Sequence, residues 1–225
     1  MMDPTARGDI IAENIRIWQK KLGGASICAV TKTVPVEDIN AAIAAGICAI
    51  GENRVQELME KREFIAPGAQ VHMIGRLQTN KVKYVVERAD VVQSLDRDAL
   101  AAELSKRAQA KGRVVRALVQ VNIAREAQKA GVDPDDLFPF LAACAARPGI
   151  AIEGLMAIAP LADDPEAARP HFRAMRRLFE EVARANIPNV RMDTLSMGMS
   201  DDCLVAAQEG ATMVRIGRGI FGARG

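Results

Sequence analysis

Little in this 225-residue sequence points to metal, disulfide or nucleic-acid chemistry. Its four cysteines, Cys28, Cys48, Cys144 and Cys203, are far apart, form no C-x-x-C pair and have no histidine at ligand spacing, so they read as reduced core thiols. No apolar run is long enough to cross a membrane; the strongest, residues 150–162, is short and carries Glu153. The N-terminus lacks the basic-then-apolar order of a signal peptide, and a soluble, cytoplasmic protein is expected. Neither sign of charge dominates: 30 basic against 28 acidic residues leave a net charge of +2, interspersed, without the footprint of a nucleic-acid binder. The densest basic stretch, residues 169–184, also holds Leu178, Phe179 and Val182, the pattern of an amphipathic helix with one solvated face. No Pro/Gly/Ser-rich linker divides the chain, and 49% hydrophobic residues suffice for one large core, so a single domain over residues 1–225 is expected.

What the chain has instead is a recurring unit. After an opening helix with Ile11, Ile15, Trp18 and Leu22 at helical spacing, a short β-branched run, a polar turn and an Ala-rich helical segment repeat. The runs centre on residues 27–30, 47–50, 71–74, 91–93, 114–121, 150–156, 192–195 and 213–216, and only the last is followed by no more than a short tail. Helix-start chemistry sits in the turns: Pro35 in a first turn, Gly46 as a stop, and Asn53, Thr79, Asp96, Asp133 and Ser200 as candidate N-caps. Alternating strands and helices imply a parallel sheet, and eight strands favour closure. An open Rossmann-like sheet would want a Gly-rich turn after the first strand, where this chain has Lys32, Thr33, Val34 and Pro35. The expectation is an α/β (β/α)8 TIM barrel with an extra N-terminal helix, its site at the C-terminal ends of the strands.

Lys32 is the residue that map brings forward. It ends the first strand, where an amine can be shielded from water and attack a carbonyl. The other strand ends contribute Glu52 and Asn53, Gly75, Ser94, Asn122, Ser196 and Arg215. After the seventh and eighth strands, LSMGMS at 195–200 and IGRG at 216–219 offer hydroxyls, glycines and a helix start, the composition of a barrel phosphate site. An amine and a phosphate site in one mouth suit a ligand with an aldehyde and a phosphate ester, and pyridoxal 5'-phosphate (PLP) has both.

The ordered segments AVTKT at 29–33, IGEN at 50–53 with VQE at 55–57, HMIG at 72–75 with LQTNK at 77–81, VN at 121–122, GLM at 154–156, LSMGMSDD at 195–202 and MVRIG at 213–217 with IFG at 220–222 resemble those of the pyridoxal phosphate homeostasis proteins, barrels related to the N-terminal barrel of alanine racemase. The resemblance implies a Schiff base between PLP and Lys32. It implies phosphate binding by Ser196, Ser200 and the backbone around Met199, Gly217 and Arg218, with Arg215 facing the pyridine nitrogen. It places Asn53 in the pocket, Asn122 and Met156 near the ring, and His72 in strand packing. Arg218 stands where many relatives have a small hydroxyl residue, so a backbone contact to phosphate is expected there, with the arginine strengthening anion binding. The related racemases add a tyrosine base from a second domain or a partner; the one tyrosine here, Tyr84, falls in the helix after the third strand. The resemblance therefore implies a monomeric PLP carrier that delivers its cargo to apo PLP-dependent enzymes, with no catalytic residue. The alternatives are a weak PLP-dependent racemase of the same fold and a Schiff-base aldolase barrel.

Overall fold

The computed structural model describes residues 4–222 except 127. A long helix α1 (Pro4–Leu22) precedes β1 (Ser26–Val30), α2 (Val36–Ala44), β2 (Ala49–Glu52), α3 (Val55–Lys61), β3 (Gln70–Met73), α4 (Val82–Val85), β4 (Val91–Leu95) and α5 (Asp98–Ala110). The second half runs β5 (Val115–Val121), α6 (Leu137–Ala145), β6 (Ile150–Ala157), α7 (Arg169–Ala185), β7 (Val190–Met199), α8 (Cys203–Gln208), β8 (Met213–Ile216) and α9 (Arg218–Phe221). The strands pair in chain order into a closed parallel barrel, β8 returning to β1 with Cys28 opposite Arg215. This is the (β/α)8 barrel that the eight runs predict.

Most of the apolar core lies between strands and helices, where Ile11, Ile15, Ile39, Leu58, Leu104, Phe172 and Met175 are fully buried. The amphipathic pattern of residues 169–184 becomes α7, which buries Phe172, Met175, Phe179 and Val182. The barrel interior holds two small apolar clusters, one of Cys28, Ala49 and Ile74 and one of Val91, Leu118 and Met156. Polar side chains occupy the space between them.

The extra helix has a definite place. It packs against α2, α8 and α9, in the slot of the ring where a full helix after β8 would lie. Three side chains fasten it: Arg7, Asn14 and the Trp18 indole donate to the carbonyls of Phe221, Ile220 and Gly219 at 2.7, 2.9 and 3.0 Å. A Cβ on Gly219 would stand 2.5 Å from the Trp18 indole nitrogen, so that glycine serves the helix contact. The sequence had suggested it for close approach to an anion.

Several local expectations shift. Asp133 caps as predicted, accepting from the Asp135 N–H at 3.0 Å. Asn53, Thr79, Asp96 and Ser200 do not, since the cap positions fall on Arg54, Gln78, Arg97 and Asp202. Asn53 and Ser200 turn into the barrel mouth instead, and Asp96 pairs with Arg97. Cys28, Cys144 and Cys203 are buried free thiols, whereas Cys48 is exposed just ahead of β2. The run at 47–50 misplaces that strand by two residues, because Ile47 is buried in the core but pairing begins later.

β7 runs on to Met199, four residues beyond its apolar run. Between Ser196 and Met199 it advances three residues while β8 advances two, from Met213 to Arg215. That extra residue is a bulge, which re-aims the strand end. Gly198 makes it possible: its φ is 87°, and a Cβ there would lie 2.5 Å from that of Ala206.

Candidate functional site

The C-terminal ends of the strands surround a cavity of about 320 Å³ lined by Lys32, Asn53, Met199, Ser200, Arg215, Gly217 and Arg218 together with Val30, Ile74, Ile158 and Asp201. The first seven were expected from the sequence. The other four were not. Val30 and Ile158 follow from strand alternation, Lys32 and Met156 being their neighbours two residues away, but apolar residues at strand ends carry no chemical signal of their own.

On the β1–β3 side the backbone is held closely. Val34 N–H bonds to the Thr31 carbonyl at 3.0 Å, closing a turn around Lys32 and Thr33. Lys32 is half-buried and its side chain faces the cavity, where no described residue makes a hydrogen bond or ion pair to its amine. Gly75 lies against Asn53; a Cβ on it would fall 2.1 Å from the Asn53 carbonyl oxygen. Ser94 Oγ donates to the Gly75 carbonyl at 2.7 Å, fixing the same junction from β4. Asn53 Oδ1 is buried and has no hydrogen-bond partner among the described residues.

The floor of the cavity is Arg215, only 4% exposed. Its guanidinium donates to the Ser196 carbonyl at 2.9 Å, to Ser196 Oγ at 2.7 Å and to the Ala157 carbonyl at 2.8 Å. Among the described residues no carboxylate pairs with it directly. Burial pulls its pKa down, while Cys28 and Asp202 oppose the shift. Burial likewise pushes the Cys28 thiol up to about 12, so it stays neutral beside the guanidinium. Ser196 Oγ in turn donates to Gln93 Oε1 at 2.8 Å, and Gln93 Nε2 donates to His72 Nδ1 at 2.7 Å. His72 Nε2 then bonds to Gln70 Oε1 at 3.3 Å, at the opposite end of the barrel. A guanidinium only donates, which sets the direction of every bond in this chain and requires His72 to accept at Nδ1. Burial, with Arg116 adding to it and Asp90 opposing, lowers the His72 pKa to about 4 and keeps the ring neutral.

Ser196 is therefore the exception among the expected residues. It is fully buried, its hydroxyl is committed to Arg215 and Gln93, and it does not line the cavity. Its place was not legible because Gln93 is 103 residues away. Asn122 and Met156 also stay out of the cavity: Asn122 Nδ2 donates to the Glu126 carbonyl at 2.9 Å, and Met156 packs with Val91 and Leu118. His72 is in the strand packing, as expected.

The β7–β8 side is tied more loosely. Met199 N–H is taken by Asp202 Oδ1 at 2.6 Å, and burial pushes that carboxyl's pKa up against this bond and against Arg215. Gly217 N–H reaches Ser200 Oγ over 3.4 Å. The Arg218 guanidinium pairs with Asp201 at 2.9 Å, both side chains well exposed. Of the described residues, no three histidine, cysteine or carboxylate side chains cluster as a metal site would, and no helix is long and apolar enough to cross a membrane.

Known proteins sort with this arrangement. The model of the alanine racemase N-terminal domain matches residues 7–225. The pyridoxal phosphate homeostasis protein of Aquifex aeolicus is 41% identical over 99% of both chains. PipY of Synechococcus elongatus, solved with PLP bound, is 36% identical over 94% of this chain and 99% of its own, with a TM-score of 0.85. Alanine racemase from Corynebacterium glutamicum, at 20% identity, shares the fold alone; the match covers 96% of this chain and 62% of that one, with a TM-score of 0.75. The fold, the ordered motifs and full-length relatives agree, and the chain belongs to the pyridoxal phosphate homeostasis protein family, within the wider group of alanine racemase N-terminal barrels.

Proposed function

We propose that this chain is a single-domain, monomeric carrier that holds PLP in the barrel mouth through a reversible Schiff base at Lys32 and yields it to apo-enzymes in the cytoplasm. The observation that carries the reading is the convergence on one cavity of an unpaired amine, a buried guanidinium and a Ser200–Gly217 loop pair. When bound, PLP supplies an aldehyde that condenses reversibly with an amine and a phosphate that takes hydrogen bonds. The residues present fit such a group. Asn53 Oδ1 is a buried acceptor without a donor among the described residues, and the hydroxyl group on the pyridine ring can supply one. Ser200 Oγ and Gly217 N–H share only a long bond, and both can turn to an anion at little cost.

Each residue has a distinct task. Lys32 Nζ is the nucleophile, with no competing partner among the described residues. Arg215 can meet a ring nitrogen only as a donor, so the nitrogen facing it accepts and carries no proton of its own, which weakens the ring as an electron sink. Gly217 and Ser200 offer an N–H and a hydroxyl to the phosphate, and Arg218 adds charge already offset by Asp201. Strong catalysis would need a second base across the cavity, and the titratable side chains lining it are Lys32, Asp201, Arg215 and Arg218. Tyr84 sits on α4, packed against the outer core. These features favour holding over turnover.

The test is the visible spectrum of the full chain with PLP, before and after borohydride. A new absorbance band, fixed covalently at Lys32 by reduction and missing from Lys32→Ala, is expected. Transfer of the cofactor to an apo-enzyme should follow, and light scattering should give a monomer mass. Sustained amino-acid racemisation by the holo-protein, lost in Lys32→Ala, would replace the carrier with the racemase.

A further inference from the structure

Behind β1 and β2, on the face turned to α3, a second lysine is bonded as fully as Lys32 is free. Lys61 Nζ donates to the Thr31 carbonyl at 2.8 Å, Glu57 Oε2 at 2.8 Å and Glu52 Oε1 at 3.1 Å, using all three of its protons. Thr31 Oγ1 also donates to Glu52 Oε1 at 2.7 Å, and Thr33 N–H donates to Glu57 Oε2 at 2.6 Å. The residues on both sides of Lys32 are thus tied to one ion cluster.

The turn needs such a tie. Thr33 has φ 61°, in the left-handed region that a β-branched residue strongly disfavours. It is the third residue of the Thr31–Val34 turn, where positive φ normally calls for Gly or Asn. Free of its restraint, Thr33 would relax toward negative φ and swing the preceding peptide, and with it the direction of the Lys32 side chain. Glu57 accepts the Thr33 N–H while Lys61 holds Glu57 in place and pins the Thr31 carbonyl. Glu52 anchors the cluster from β2: it is fully buried, and among the described residues its Oε2 has no partner. That desolvation is a cost, and the bonds from Thr31 and Lys61 to Oε1 are what offset it.

We propose that Lys61 and Glu57 are positioning residues that hold the strained Thr31–Val34 turn so that the Lys32 amine points into the cavity ready for the aldehyde. The inference rests on the PLP reading above. It separates two quantities that a merely structural role would move together: capture of an aldehyde by Lys32, and reversible binding of the phosphate and ring.

The experiment measures both on the full chain, for wild type, Lys61→Met, Glu57→Met and Glu57→Met with Thr33→Gly. The rate of covalent fixing by PLP with borohydride reads the amine; equilibrium binding of pyridoxamine 5'-phosphate, which has no aldehyde, reads the rest. Glu57→Met and Lys61→Met should slow fixing about tenfold or more, the scale of a misplaced reacting group, while pyridoxamine phosphate affinity stays within about twofold. Thr33→Gly, which accepts positive φ without strain, should restore most of the rate in the Glu57→Met background. Unchanged fixing, an equal fall in both quantities, or no recovery with Thr33→Gly would overturn the assignment. If Lys61→Met fails to fold, the Glu57 pair decides alone, because Glu57→Met removes the shared acceptor and keeps Lys61. Absence of fixing in wild type would instead refute the carrier reading, leaving the two failures distinct.

Discussion

The two sides of the barrel mouth are built on different terms. Around β1–β3, short bonds of 2.6 and 2.7 Å and a glycine contact with no room for a methyl group define where Lys32 and Asn53 stand. Around β7–β8, Asp202 holds the Met199 N–H at 2.6 Å, but Ser200 Oγ and the Gly217 N–H share one 3.4 Å bond and Arg218 sits in an exposed ion pair, which leaves those groups room to adjust. The difference follows the chemistry each side would do. Bond formation at an amine tolerates little misplacement, whereas an anion is satisfied by any of several donors. The sides are joined across the floor by Arg215, Ser196, Gln93 and His72.

The contrast can be broken most forcefully at Gly75. Gly75→Ala drives a Cβ to 2.1 Å from backbone, so the β2–β3 junction must open. We expect a loss of about 3 kcal/mol in urea unfolding, the upper part of the usual overpacking range. A neutral result would show that this side yields as easily as the other.

The link across the floor is next. His72 titrates near 6.5 when unfolded and near 4 when folded. Between those values the unfolded chain binds more protons, so this contribution is complete above pH 6.5 and is lost as pH falls toward 4, at about 1.4 kcal/mol per unit and up to roughly 3 kcal/mol in all. Urea midpoints at pH 7 and pH 5 should therefore differ more in wild type than in His72→Gln. Equal differences would remove His72 from the acid limb.

On the looser side the effects should be small. Ser200→Ala is expected to weaken pyridoxamine phosphate binding severalfold, as for loss of one hydrogen bond, about 1 kcal/mol. Arg218→Ala should change it by no more than about twofold at physiological salt, because Asp201 already offsets its charge in an exposed pair. Titration calorimetry ranks the two, and a larger effect at Arg218 would mean that this side, too, depends on one fixed geometry.

Much of this architecture could be read in the sequence because its causes are local. Short β-branched runs between helical segments mark strands, and a strand end in a barrel is a mouth position, which is how Lys32, Asn53 and Arg215 were found. What escaped depends on residues brought together from afar. Ser196 reads as a phosphate ligand until Gln93 and Arg215 take both sides of its hydroxyl. Gly219 reads as a loop glycine until Trp18 lies against it. Lys61 carries no motif signal of its own, and only the approach of α3 to the ends of β1 and β2 gives it Thr31 and Glu52 beside Glu57 as acceptors. The β7 bulge is a matter of register, which apolar patterning does not encode when both faces of a strand are buried.

The seam where α1 fills the last slot of the ring also governs when the site comes into being. A ribosome makes α1 before any of the strands and β8 and α9 after the other seven, and domains fold as their segments emerge. The carbonyls that hold Arg7, Asn14 and Trp18 belong to Phe221, Ile220 and Gly219, and Arg215 and Gly217 lie immediately before them. A growing chain thus has Lys32 long before it has Arg215, the Gly217 loop and the seam, whose partners stand 201 to 214 residues apart. The cavity around Lys32 can take shape only after β8 has been made and α1 has met α9, so a chain stopped short of β8 presents a lysine but no vessel around it.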